Sequence, residues 1–81
     1  MGIAGAGGAE QRMTVARVHE GPKHAVVTFY ESARFYRLPR ANQDYAAALR
    51  ALRAGATSGI SLHVRLRARN SDIIEAVTAG P

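Results

Sequence analysis

Cysteine is absent from the 81 residues, and that absence removes a disulfide framework, an iron–sulfur cluster, a cysteine-built zinc site and a thiol nucleophile together. Tryptophan is also missing, so two phenylalanines and three tyrosines are all the aromatic material available to a core. Acidic residues are few. Six Asp plus Glu stand against eleven Lys plus Arg, for a formal charge of +5, and Lys23 is the single lysine. Arginine is a planar, multidentate donor suited to phosphate and carboxylate, although codon composition alone can also enrich it. No run reaches the roughly 18 apolar residues that a membrane-spanning helix requires. The length allows one domain at most, and so small a core makes association an expected source of stability.

Met1 to Ala9 is glycine and alanine around Ile3 and Met1, a composition that cannot offset the entropy of ordering through side-chain burial. A disordered leader or expression remnant is therefore expected over residues 1–11, one β-rich domain over 12–78 and a frayed tail over 79–81. The start lacks the basic residues and long apolar stretch of a secretory signal. That leans towards the cytoplasm without fixing a compartment.

The strongest pattern lies between Ile60 and Arg69, where Ile60, Leu62, Val64, Leu66 and Ala68 alternate with Ser61, His63, Arg65, Arg67 and Arg69. A period of two places these sets on opposite faces of a strand, one apolar and one basic. Earlier segments rich in Val, Thr, Phe and Tyr predict strands over about Arg12 to His19, His24 to Tyr30 and Ala33 to Leu38, with a turn at Glu20 to Lys23. Phe35 is expected inward and Tyr36 outward beside Arg34. Pro39 ends this run, and Asn42 is placed to cap a helix over Gln43 to Ala54, where Tyr45, Ala48, Leu49 and Leu52 make one apolar stripe. Gly55 is its expected terminator. Asn70 and Ser71 turn the chain into a last strand over Ile73 to Val77. The expected core is Val15, Val27, Phe29, Phe35, Tyr45, Leu49, Leu52, Leu62, Val64 and Leu66.

The element order β-β-β-α-β-β predicts a mainly β, α+β domain, because parallel strands need long crossovers that this chain lacks. From Met13 to Val77 that order resembles the oligonucleotide/oligosaccharide-binding (OB) fold, a small five-stranded antiparallel barrel. The alternative is an antiparallel sheet with the helix packed on one face. The resemblance extends to the ring-forming B subunits of bacterial toxins, where a helix, a glycine-containing loop and a strand follow one another as do Tyr45 to Leu52, Gly55 to Gly59 and Ile60 to Arg67.

Three functions are weighed. The first is a non-enzymatic binding or assembly module, homo-oligomeric, with apolar residues left on both sides of the third and fifth strands. The second is single-stranded nucleic-acid or other polyanion binding by Arg34, Tyr36, His63, Arg65, Arg67 and Arg69, whose guanidinium groups would track phosphates while the tyrosine stacks on a base. Carbohydrate binding in an OB-like barrel is the third. The same arginines also suit a merely solvated face. His19, His24 and His63 lack the spacing of a metal site. The serines have no nucleophile-elbow setting, and Asp44 and Asp72 suit a helix start and a turn. No enzyme, metal or cofactor is expected from the residues.

Overall fold

The computed structural model describes residues 10–79. The strands are β1 (Glu10–Met13), β2 (Val15–Glu20), β3 (His24–Phe29), β4 (Ser32–Pro39), β5 (Leu62–Leu66) and β6 (Ile74–Thr78), with one helix, α1 (Tyr45–Ser58), between β4 and β5. They form two open, three-stranded antiparallel sheets in the orders β1-β5-β6 and β2-β3-β4. Both the five-stranded OB-like barrel and the single sheet with a helix on one face are thereby corrected to six strands in two sheets. The physical cause is Thr14. The segment expected as one strand leaves the ladder there, so Met13 pairs with Leu62 in one sheet while Val15 pairs with Phe29 in the other. On the far side β4 meets the residue just before β6 at a parallel bridge, Arg37 with Ile73, and the Arg37 N–H donates to the Asp72 carbonyl at 2.8 Å. The general description that survives is a small antiparallel β fold with one helix.

The first strand begins at Glu10, so Glu10 and Gln11, placed with the leader on sequence grounds, pair with Arg65 and Val64. The rest of that leader, residues 1–9, and the tail residues 80–81 lie outside the described residues.

Alternation explains which residues enter the core. Ala25, Val27 and Phe29 of β3 are buried, as are Leu62, Val64 and Leu66 of β5, and Met13, Val15, Leu38, Leu52 and Ile74 join them. Tyr45 and Leu49 pack against this cluster half-buried. Phe35 and Tyr36 are inverted relative to expectation: Phe35 is 67% exposed and Tyr36 is 3% exposed. Period two ties Tyr36 to Leu38 on one face, and burying Leu38 therefore buries Tyr36. Tyr36 packs edge-on to Phe29 with ring centroids 5.2 Å apart, and its hydroxyl is 3.0 Å from Ser32 Oγ. A bulge between Thr28 and Phe29 leaves Phe35 opposite Thr28 on the outer face.

Helix α1 runs four residues past its expected end. Gly55 is buried within it because an added Cβ would come 2.9 Å from Leu62 Cδ1, so this position keeps the helix close to β5. The terminator is Gly59, which takes the left-handed conformation (φ 76°) and donates its N–H to the Gly55 carbonyl at 2.8 Å. Asp44 occupies the cap position without a side-chain capping bond. Asn42 acts just before it, accepting the Asp44 N–H on Oδ1 at 2.8 Å.

Tyr45 presents its ring to the Arg40 guanidinium, 5.2 Å from the centroid. Its hydroxyl is buried and, among the described residues, has no hydrogen-bond partner. An unsatisfied buried hydroxyl is destabilising, so Tyr45→Phe is expected to raise stability by up to about 1 kcal/mol, measured as a rise in the urea midpoint at unchanged slope. A fall of similar size would show that the hydroxyl is satisfied.

Candidate functional site

The bulge between Arg65 and Leu66 lies beside a concavity. Arg65 pairs with Ala76 and Leu66 with Ile74, leaving Glu75 as the extra residue of β6. A side-chain amide takes up the backbone carbonyl of that residue: Asn42 Nδ2 donates to Glu75 O at 2.9 Å. The Asn42 carbonyl also accepts the Tyr45 N–H at 2.9 Å, and the Asn42 N–H donates to Pro39 O at 3.1 Å. One residue thus fixes the β4–α1 loop against the β5–β6 hairpin. Between them lies a cleft of about 470 Å³, with Asn42, Gln43 and Asp44 on one side and Arg65, Arg67 and Glu75 on the other, over Pro39 and Ile74.

Its charges differ in how far they are committed. Arg67 Nε stands 3.8 Å from Glu75 Oε2, an exposed pair. Among the described residues, neither the Arg65 guanidinium nor the Asp44 carboxylate takes part in an ion pair or side-chain hydrogen bond.

The residues singled out in the sequence do not form one basic ladder. β5 ends at Leu66, so Arg67 and Arg69 follow the strand, and only His63 and Arg65 lie within it. His63 is half-buried on the outer side of its sheet, with Arg12 and Thr78 as its cross-strand partners. Ile60, counted with the apolar half of the alternating segment, is 62% exposed because it precedes the strand. Arg34 belongs elsewhere: its Nη2 donates to Asn70 O at 2.8 Å and its guanidinium lies 5.5 Å from the Tyr36 ring centroid. Tyr36 is buried and cannot stack on an external base. Arg37 also serves the scaffold, pairing with Asp72 at 3.0 Å. Its hydrogen bond is the leading cause that lowers the Asp72 pKa, against opposing desolvation.

A second polar cluster went unnoticed in the sequence because its members are far apart along the chain. Glu31 accepts the Thr14 N–H at 2.8 Å and the Thr14 hydroxyl at 2.7 Å. Thr14 Oγ1 is 2.8 Å from Ser61 Oγ. Since the Thr14 hydrogen goes to Glu31, Ser61 supplies the hydrogen of that bond. The cluster joins the β1–β2 break, the β3–β4 turn and the approach to β5. The Thr14 backbone hydrogen bond, ahead of opposing desolvation and the Thr14 hydroxyl, lowers the Glu31 pKa below its ordinary 4.5. A depressed folded-state pKa gives stability that is present above the unfolded value and is lost as pH falls through the folded one. Thermal unfolding followed from neutral pH to below about pH 4 should show a falling midpoint, and Glu31→Gln should flatten that acid limb. An identical acid limb in the variant would exclude Glu31 as a source.

On the outer face of the second sheet, Arg17, Thr28 and Phe35 form one cross-strand row and His19, Val26 and Arg37 the next. Phe35 is exposed at its edge, and Tyr30, in the β3–β4 turn, is 76% exposed.

No family model and no curated protein matches the chain. Its structure is similar to a solved one, the crystal structure of pro-protein-glutaminase, with a TM-score of 0.77 and 20% sequence identity over 86% of this chain and 24% of that one. At that identity the likeness establishes the fold, and the chain spans about a quarter of the other protein. This likeness to the precursor of an enzyme stands against the reading of the chain as a non-enzymatic binding or assembly module and against the expectation of no enzyme. The OB-like resemblance gains nothing from it. Among the described residues, no helix is long and apolar enough to cross a membrane.

Proposed function

We propose that this chain works within an enzyme of the protein-glutaminase kind, as the domain that accompanies the catalytic unit in a pro-form. The observation that carries the reading is the structural match, which takes in nearly the whole of this chain and a domain-sized share of pro-protein-glutaminase. The chemistry of the chain agrees with that division of labour. It supplies no thiol. The Ser61–Thr14–Glu31 chain contains no imidazole, and its carboxylate is held in the ionised form, which makes it a weak base for activating a hydroxyl.

A domain in that position needs a face for its neighbour. Tyr30 and Phe35 are large, exposed and close along one hairpin, with Arg17 in the cross-strand row of Phe35 and Arg37 in the next. Aromatic residues and arginine are the side chains most enriched at the energetic centres of interfaces. Covering these rings would remove apolar surface from water, at about 25 cal/mol per Å².

The reading is tested by mixing the full chain with the isolated catalytic unit of a protein-glutaminase and following both by size-exclusion chromatography. Co-elution as an equimolar complex is expected, and the pair Tyr30→Ala and Phe35→Ala should weaken it by about thirtyfold or more, the effect of losing an interface anchor. Independent elution at concentrations of about 10 μM would overturn the proposal.

A further inference from the structure

We propose that the cleft between the β4–α1 loop and the β5–β6 hairpin is a binding site for a small zwitterion, a free α-amino acid or a short peptide. Its carboxylate would lie on Arg65 and its ammonium on Asp44. The inference goes beyond the enzyme reading and does not depend on it. Tyr30 lies beyond Ser32 and the cleft beside Pro39, at opposite ends of β4, and Phe35 stands four residues from Pro39, about 13 Å along the strand.

Three observations point to this ligand class. The volume, about 470 Å³, is within the range of small-molecule sites and exceeds what one ion needs. Among the described residues, the cleft also holds a cation and an anion without an ion-pair partner, Arg65 from β5 and Asp44 from the loop before α1. They do not pair with each other. The walls that carry them are set in place by the four hydrogen bonds of Asn42, so each charge stands on an anchored segment.

The pattern of charge selects a zwitterion over a simple anion. Arg67 is partly neutralised by Glu75 at 3.8 Å, which leaves Arg65 as the principal donor for a carboxylate. A guanidinium offers two parallel N–H groups to such a group. Asp44 repels an anion that carries no positive end, whereas an α-ammonium group satisfies it. Gln43 offers an amide donor and acceptor for a polar side chain, beside the partly exposed ring of Pro39.

The test is a titration of the full chain with L-glutamine, followed by amide chemical shifts, with acetate and methylammonium at matched ionic strength as single-charge probes. Saturable shifts confined to residues 39–44, 65–67 and 74–76 are expected, with a dissociation constant of order 1 mM. Arg65→Gln and Asp44→Asn should each weaken binding about tenfold, the scale of one charge-assisted hydrogen bond. Both side chains are exposed and both variants should fold, which the unchanged dispersion of the remaining amides checks. Shifts that fail to saturate, acetate producing the same saturable response as L-glutamine, or an unchanged affinity in Arg65→Gln would each overturn the assignment. Loss of this site together with an intact complex at the hairpin would leave the enzyme reading standing.

Discussion

Leu52→Ala is expected to destabilise the domain by about 3 kcal/mol, the middle of the range for a leucine truncated in a packed core. Leu52 is fully buried and is the helix's largest anchor, flanked along the same stripe by Ala48 and Gly55, which have little bulk to move into a void. The helix packs against β2, β4 and β6, so the cavity would open beneath elements of both sheets. For a domain of this size such a loss lowers the thermal midpoint by roughly 12–24 °C. Urea unfolding followed by circular dichroism measures it. A loss below about 1 kcal/mol would mean that the helix does not close the core.

Tyr36→Ala and Phe35→Ala should differ by about 3 kcal/mol although the residues are neighbours. Tyr36 is buried, touches Phe29 edge-on and bonds Ser32, so truncation removes ring contacts and leaves the Ser32 hydroxyl without that partner. Truncating a buried aromatic costs about 3–5 kcal/mol. Phe35 is exposed, and its loss should change stability by no more than about 0.5 kcal/mol. Equal effects, or the reverse order, would place Phe35 inside and invalidate the outer face on which the proposed interface rests.

This pair also marks where the sequence was legible and where it was not. Ile60 to Arg69 shows a clean alternation, and Leu62, Val64 and Leu66 are buried as that alternation requires. Ala25, Val27 and Phe29 are equally clear. In the Ala33 to Leu38 segment both faces carry a large apolar residue, so local pattern does not choose between them. The parity of Tyr36 with Leu38 does, once Leu38 is assigned to the core. The division into two sheets was hidden for a different reason. Thr14 is an ordinary strand residue by type, and it leaves the ladder because Glu31, seventeen residues away, binds its N–H and hydroxyl. Gly55 reads as a helix end because its tight approach to Leu62 depends on tertiary structure, while Gly59 carries the positive φ that a terminator needs.

The candidate sites followed the same rule. Arg65 and Arg67 were visible as a basic run, but the strand ends between them, and the bulge at Glu75 turns the second into a partner of its own sheet. Asp44 read as a helix-start residue, and it does stand at the cap, yet its side chain makes no capping bond and faces the cleft. The cleft itself depends on Asn42 reaching a carbonyl of β6 thirty-three residues away, which no local spacing reveals.

The central claim, that this domain serves a protein-glutaminase in its pro-form, is tested most directly by ammonia release from a glutamine-containing protein. The full chain is added in equimolar amount to an isolated protein-glutaminase catalytic unit, and each component is also assayed alone. A fall of at least about tenfold in release by the catalytic unit is expected once the chain is present, relieved by Phe35→Ala with Tyr30→Ala. Undiminished release in the mixture would contradict that role.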